Sequence, residues 1–297
     1  MAAEAGGLRK LGGVFDGVAE AYDAARPSYP PELVDAAIAV GGLDADARIL
    51  EIGCGTGKLT ELLVERGLRI HAVEPGANLV EAARRRIGES AALEFEIATF
   101  EDAGVTDGSY DAVFSATAFH WVDPAVGWPK VARALAPGRL FALLTHVAVE
   151  DSDERALAME RELIAVLGRY APEIAEGWKL PLPLAEVTAG ARERSGNVSD
   201  AWDWIMSFGR HDLARAEAAG LFADVRIEWH AQHREQTAGE VLAQWRTTSL
   251  YFMLEEDRRQ PFEDDFRALI ERHGGTFPFT DCTFLLTARS AVAPRRG

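Results

Sequence analysis

From residue 47 onward, short apolar runs alternate with segments whose apolar residues recur at helical spacing. Arg48-Ile49-Leu50-Glu51-Ile52 predicts a buried strand, followed by a glycine-rich turn and a helix to about Arg66. Arg69 to Val73 predicts the next strand, and 78–87 a helix with Asn78 as its N-cap. Further strands are expected over Leu93 to Phe100, Asp111 to Ser115 and Arg139 to Leu144. Val126, Val131, Ala132 and Leu135 place a helix between the last two, closed by a turn at Pro137-Gly138. Repeated strand-helix-strand units build a parallel sheet with helices on both faces, so the expected class is α/β, doubly wound and Rossmann-like.

The flanks are read in the same way. Phe15, Val18, Ala19 and Tyr22 fit a short helix that stops at Arg26-Pro27-Ser28-Tyr29-Pro30-Pro31. Pro31 then opens a second helix, ended by Gly41-Gly42. After residue 147 the alternation ceases. A helix over Glu154 to Leu167 leads into a stretch rich in Pro, Gly and Trp, including Trp178, Trp202 and Trp204. A helix over Leu213 to Ala219, a strand over Val225 to His230, helices over Val241 to Tyr251 and Phe262 to Arg272, and a strand over Cys282 to Leu286 complete the pattern. The expected organisation is a disordered 1–13, a ligand-binding core with N-terminal helices over 14–147, a mostly helical cap insertion over 148–210, and 211–297 completing the sheet.

Charge narrows the partners. The 297 residues carry 31 Lys and Arg against 47 Asp and Glu, a net charge of -16, with no basic block. Nucleic acid is therefore not an expected partner, because phosphate neutralisation needs a basic face. The two cysteines, Cys54 and Cys282, lie far apart and form neither a disulfide framework nor a zinc site, so no metal is expected. The N-terminus has no apolar leader, and no apolar run approaches the roughly 20 residues of a membrane span. A cytoplasmic protein, monomeric or homodimeric, is the expectation.

The candidate chemistry sits at Gly53-Cys54-Gly55-Thr56-Gly57, where a strand runs through a tight turn into a helix. Backbone can approach a ligand closely there, with free N-H groups of the helix start facing it. Glu74 ends the second strand about 20 residues after the first glycine, placed for the two hydroxyls of a ribose. The spacing is G-x-G-x-G rather than the G-x-G-x-x-G of dinucleotide sites, and Leu59 after Lys58 together with Ile52 excludes a phosphate-binding P-loop. Glu51 beside the turn would repel a pyrophosphate but suit a ligand bearing ammonium and sulfonium groups. Glu51 and Glu74 together fit S-adenosylmethionine better than a nicotinamide dinucleotide.

Ile49 to Gly57, Val73-Glu74-Pro75 and Ala98 to Asp102 resemble the cofactor motifs of the class I S-adenosylmethionine-dependent methyltransferases. Phe15 to Tyr22, Arg26 to Pro30 and Phe119-His120-Trp121-Val122-Asp123 are similar to a small-molecule branch that includes the trans-aconitate methyltransferases. The resemblance implies that Gly53, Cys54, Gly55 and Gly57 hold the methionine end, with Glu51 near its ammonium. Glu74 and Pro75 would meet the ribose, and Thr99, Phe100 and Glu101 would border the adenine. Many relatives carry an Asp at or beside Thr99. Ala116 and Thr117 would pass under the methionine. Tyr22 either covers the sulfonium or packs on the core with Phe15 and Val18.

A small-molecule acceptor follows, with Tyr29, Trp121, Trp178, Trp202 and Trp204 as candidate contacts. His120, just past the fourth strand, is either a general base or a residue that orients its loop. Alternatively a carboxylate acceptor needs no base, and Arg26 or Arg246 positions it. The rival functions are a nicotinamide-dependent oxidoreductase on a similar fold and a methyltransferase-like cofactor-binding protein.

Overall fold

The computed structural model describes residues 16–17, 19–150, 153–178, 180–207 and 218–291. The expected disordered stretch 1–13, Phe15 and Val18 lie outside them, as does nearly all of the helix expected over Leu213 to Ala219.

The alternating segments form seven strands: β1 (Arg48–Ile52), β2 (Arg69–Val73), β3 (Leu93–Glu96), β4 (Tyr110–Ala116), β5 (Leu135–Val149), β6 (Phe222–Thr237) and β7 (Thr276–Ser290). They make one sheet in the order β3-β2-β1-β4-β5-β7-β6. The first five run parallel, and β7 runs antiparallel to both β5 and β6. The helices are α1 (Ala19–Ala25), α2 (Pro31–Gly41), α3 (Lys58–Glu65), α4 (Ala77–Ile87), α5 (Pro124–Ala134), α6 (Glu154–Tyr170), α7 (Pro172–Gly177), α8 (Leu184–Glu193), α9 (Val198–Met206), α10 (Ala238–Trp245), α11 (Ser249–Met253) and α12 (Glu256–Arg272). The fold is the doubly wound Rossmann-like arrangement expected from the sequence.

Alternation along the strands divides the core. Ile49, Phe114, Leu140, Ala142, Leu144 and Leu285 join Leu33, Val34 and Ala37 of α2 and Leu59 and Leu63 of α3 on one face. Leu50, Ile52, Val113, Phe141, Leu143 and Phe284 face the other way, onto α5, α8 and α9. On that face Phe119 packs edge-on against Trp128 and Phe141, with ring centroids 4.8 and 5.2 Å apart, and Phe222 lies 5.5 Å from Phe141. This cluster anchors the turn after β4. A third cluster joins α6 and α7 to α10 and α12 through Met159, Leu163, Leu242, Phe262 and Phe266. The helical segment between β5 and β6 thus divides, α6 and α7 packing with the C-terminal helices and α8 and α9 under the sheet.

Several boundaries differ from the sequence expectation for identifiable reasons. β3 ends at Glu96 rather than Phe100, because its partner β2 ends at the Val73–Glu96 pair. Beyond it the chain turns, with the N-H groups of Asp102 and Ala103 both donating to the Thr99 carbonyl. Asn78 is not the N-cap of α4: the helix starts one residue earlier with Gly76 as cap. The capping acceptor comes from afar, as Asp16 Oδ1 takes the N-H of Asn78 at 2.7 Å and of Leu79 at 3.2 Å. Pro137-Gly138 does not precede β5 but lies inside it, where the register jumps between Tyr110–Leu135 and Ala112–Leu140.

Phe141 is 1 % exposed at the centre of the aromatic cluster. Its replacement by Ala is expected to lower stability by about 3–5 kcal/mol, through lost transfer energy and the cavity left behind. Denaturant unfolding of both proteins checks this.

Candidate active site

The C-terminal ends of β1, β2 and β4 converge, which is where a doubly wound sheet takes its ligands. The glycine turn after β1 is tied to β2 by the Gly53 N-H, which donates to the Val73 carbonyl at 2.8 Å. Gly53 adopts φ 70°, and a Cβ there would lie 2.3 Å from that of Ala118, so the turn passes directly against the segment after β4. Gly55 also has positive φ, at 55°, yet a Cβ on it would meet nothing within 4 Å. The space in front of Gly55 is open. Cys54 and Thr56 are buried, Cys54 in the apolar cluster under α2 and α3.

Two carboxylates flank this turn. Glu74, at the end of β2, is buried and accepts from the Gly55 N-H at 3.0 Å and the Gly76 N-H at 2.9 Å. Burial raises its pKa despite those two donors. Glu51 is 1 % exposed, and its Oε2 has no hydrogen-bond partner among the described residues. Its pKa is pushed up to about 8, chiefly by burial and further by the charge of Glu74. The buried Thr60 hydroxyl beside it opposes that shift, although it closes no well-aligned hydrogen bond. A buried carboxylate oxygen lacking a donor, beside an open glycine turn, fits a ligand that brings a cationic donor. Among the described residues no group of His, Cys, Asp and Glu could hold a metal ion.

The N-terminal segment is fastened over this edge. Both carboxylate oxygens of Asp23 on α1 accept from Arg86 Nη2 at 2.6 Å, while Arg86 Nη1 donates to Glu61 and Nε to the Thr56 carbonyl of the glycine turn. Burial works against ionisation of Asp23, but the Thr56 hydroxyl and Arg86 hold its pKa below the ordinary value. The Tyr22 side chain lies outside what is described. Arg26, expected as an acceptor-binding cation, instead donates to Oγ1 and the carbonyl oxygen of Thr247.

Past β4, Ala116 is half-buried and Thr117 holds φ 51°, a conformation costly for a β-branched residue and typical of functional turns. Thr117 Oγ1 accepts from the Tyr29 hydroxyl at 3.0 Å. A single 3-10 turn, Phe119–Trp121, carries His120 and half-buried Trp121, whose rings lie 4.7 Å apart. His120 is exposed at this turn, and desolvation by the surrounding protein pushes its pKa down to about 4. A base works best with a pKa near the operating pH, so His120 is poorly tuned for the role expected of it.

Thr99 bonds the Asp102 carboxylate, and Phe100 turns inward beneath the Lys130 ammonium, 5.1 Å from its ring. Glu101 Oε1 accepts the Asp123 N-H, joining the segment after β3 to the turn after β4. Pro75 is exposed at the end of β2. Ile97, which the sequence pattern did not single out, is a large apolar side chain 53 % exposed just after β3.

The expected acceptor contacts in the cap separate from the site. Trp202 is instead buried in the core under the sheet. Trp204 donates its N-H to the Val187 carbonyl and is covered by Arg194 at 4.0 Å. Trp178 stacks on Trp245, with centroids 5.6 Å apart. Arg246 forms a two-pronged pair with Glu263, which Tyr251 also joins. Sequence reasoning missed His146 and Asp281, which the β5–β7 register brings together with Tyr29. The signal was there in part: His146 continues the inward phase of Leu140, Ala142 and Leu144.

Residues 50–143 match the family described as "Methyltransferase domain". An uncharacterized methyltransferase of Mycobacterium bovis is 40% identical over 173 residues, 58% of this chain and 66% of that relative, so the match spans just under two thirds of the relative's length. A trans-aconitate 2-methyltransferase of Afipia carboxidovorans is 27% identical over 172 residues, covering 56% of this chain and 64% of that protein. A solved structure from Anaeromyxobacter dehalogenans, assigned to the type II methyltransferases, aligns with a TM-score of 0.57 at 20% identity, over 91% of this chain and 99% of that one. No helix among the described residues is long and apolar enough to cross a membrane.

The Glu51 carboxyl gives a pH test with a defined sign. Its pKa rises from an ordinary 4.5 to about 8 on folding, so between those values the native state holds a proton that the unfolded chain has released. Stability from this group therefore falls as pH rises through that window. Thermal melts of the free protein at pH 5 and pH 8 are expected to show a larger loss in the wild type than in Glu51→Gln. Equal losses contradict the assignment.

Proposed function

With the chain a member of the class I S-adenosylmethionine-dependent methyltransferases, we propose that it moves the methyl group of S-adenosylmethionine to a small-molecule acceptor. The observation that carries this reading is the pair of buried carboxylates on either side of an open glycine turn, one of them lacking any donor among the described residues. A pyrophosphate brings no donor for Glu51 and opposes its ionisation, whereas an ammonium would supply the missing donor and restore the charge of Glu51.

The remaining roles follow position. Glu74 keeps lone pairs beyond those taken by Gly55 and Gly76, and a carboxylate can accept ribose hydroxyls with them. Gly53, Cys54, Gly55 and Gly57 cradle the methionine end, and Ala116 and Thr117 bound it from β4. Ile97 offers an apolar surface to the adenine, beside the backbone of Thr99, Phe100 and Glu101 and close to Pro75. Trp121 limits the access of water. When bound, S-adenosylmethionine supplies a methyl carbon already activated by a positive sulfur, which leaves the protein to align the acceptor, keep the site dry and take a proton where one must go. The cofactor side is assigned to 14–147, and the acceptor side to Tyr29 with the inner face of β5 and β7.

Calorimetry of the free protein tests the reading. It is expected to bind S-adenosylmethionine and S-adenosylhomocysteine but no nicotinamide dinucleotide. Gly55→Val abolishes binding by filling the open space, and Glu74→Ala weakens it by about 1–3 kcal/mol, the worth of charge-assisted hydrogen bonds. Undiminished binding by both variants overturns the site.

A further inference from the structure

Tyr29, His146, Asp281 and Thr283 meet where β5 and β7 reach the C-terminal edge of the sheet. The register sets His146 opposite Thr283, and Asp281 follows on the same face of β7. His146 Nδ1 lies 3.0 Å from Thr283 Oγ1 and 3.5 Å from Asp281 Oδ2. Its ring is stacked under that of Tyr29, with centroids 4.8 Å apart and planes inclined by 17°. The same tyrosine reaches Thr117 at the end of β4 with its hydroxyl, so one side chain spans from the imidazole to the strand end that bounds the cofactor site. His146 Nε2 is shielded from solvent and has no hydrogen-bond partner among the described residues.

The two nitrogens of an imidazole point to different flanks of the ring. With Nδ1 turned to β7, Nε2 is turned away from it, to the side on which β5 adjoins β4. A carboxylate and a hydroxyl at Nδ1 favour the tautomer protonated there, which leaves the Nε2 lone pair as an acceptor. A buried acceptor with nothing to accept calls for a partner that arrives with a ligand. Next to this group a cleft of about 320 Å³ opens between the Ser28–Glu32 segment and β6 and β7. Arg234, Gln232, His230 and Asp281 line it. Glu32 is paired with His230, and Arg234 donates from Nη2 to Gln232, its Nε being buried without a hydrogen-bond partner among the described residues.

Building on the methyl-transfer reading, we infer that His146, oriented by Asp281, receives the proton released by an acceptor of the hydroxyl or amine class that enters through this cleft. The acceptor's heteroatom uses its lone pair to form the bond to the methyl carbon, and the electron pair of the carbon–sulfur bond stays on sulfur. The proton leaving the heteroatom goes to Nε2, and the Asp281 carboxylate balances the imidazolium so formed. Tyr29 is the cover over the ring, and access to Nε2 opens as that side chain moves. A carboxylate acceptor needs no base. His120, the sequence candidate for the same task, has no carboxylate beside it in the described contacts and a pKa near 4.

Two measurements on the full chain decide this. Histidine-labelled protein saturated with S-adenosylhomocysteine is examined by long-range 1H–15N correlation, with the His146 signals identified by their loss in His146→Gln. Expected is the Nδ1-H tautomer, shifting toward the Nε2-H form in Asp281→Asn. Turnover of S-adenosylmethionine is then followed by mass spectrometry against a panel of phenols, alcohols, amines and carboxylates, trans-aconitate among the last. A hydroxyl or amine acceptor is expected, with His146→Gln lowering kcat roughly 100-fold while KM and cofactor affinity stay within about threefold. An Nε2-H tautomer in the wild type, indifference to Asp281→Asn, turnover of carboxylates alone, or an unchanged kcat overturns the inference. If no panel member turns over, the tautomer result alone decides. Failure of the wild type to bind S-adenosylmethionine overturns the methyl-transfer reading instead, and folding of each variant is read from its melt.

Discussion

The burial of two carboxylates, one from each of two neighbouring strands, beside one glycine turn is the constraint on which the site depends. Removing a carboxylate from water is costly unless donors replace the lost solvent. Glu74 receives two N-H groups from the loops it sits between, while Glu51 receives none on Oε2 and responds by holding its proton. Such an arrangement persists only on a scaffold that cannot relax around it. The close-packed interior on both faces of β1 and β4 supplies that rigidity, with Ile49, Leu50, Val113 and Phe114 wholly buried. A ligand carrying positive charge then enters a place already organised for it, and little of its binding energy is lost to rearranging the protein.

The N-terminal segment shows how a loosely packed part of the chain is made to serve that site. α1 is seven residues long, too short to be stable alone, and polar bonds hold it instead. Asp16 caps α4, Asp23 grips Arg86, Arg26 is bonded to the chain after α10, and Tyr29 touches the end of β4. These four ties reach elements on both sides of the glycine turn. The proposed cofactor and acceptor surfaces are thereby linked by one run of about fifteen residues.

The parallel half of the sheet was legible in the sequence because buried strands and amphipathic helices alternate there without interruption. So were the glycine turn and both acids, since strand ends fix their places. The C-terminal strands were read far too short. β6 continues through Glu228, His230, Gln232 and Arg234, polar residues whose strand character comes from pairing with β7 rather than from any apolar alternation. The His146–Asp281 pair was hidden for a related reason: their meeting depends on a register between strands distant in sequence. The tryptophans misled in the opposite direction, because a large aromatic reads equally well as ligand wall or as packing, and Trp202 and Trp204 are used to seat α9 against its neighbours.

The lengths of the strands have a consequence for how such a protein changes. β1, β2 and β4 span five to seven residues, whereas β5, β6 and β7 span fifteen or sixteen. The antiparallel ribbon therefore overhangs the glycine turn, and His230, Gln232, Arg234, Asp281 and Thr283 on it line one cleft. A slip of one position between β6 and β7 would turn His230, Gln232 and Arg234 to the opposite face and bring an entirely different set of side chains inward. The ribbon acts as a sliding scale laid beside a fixed mount: its register and reach can be altered without disturbing the glycine turn, so on the proposed reading new acceptors become accessible through pairing geometry before the donor site has to change.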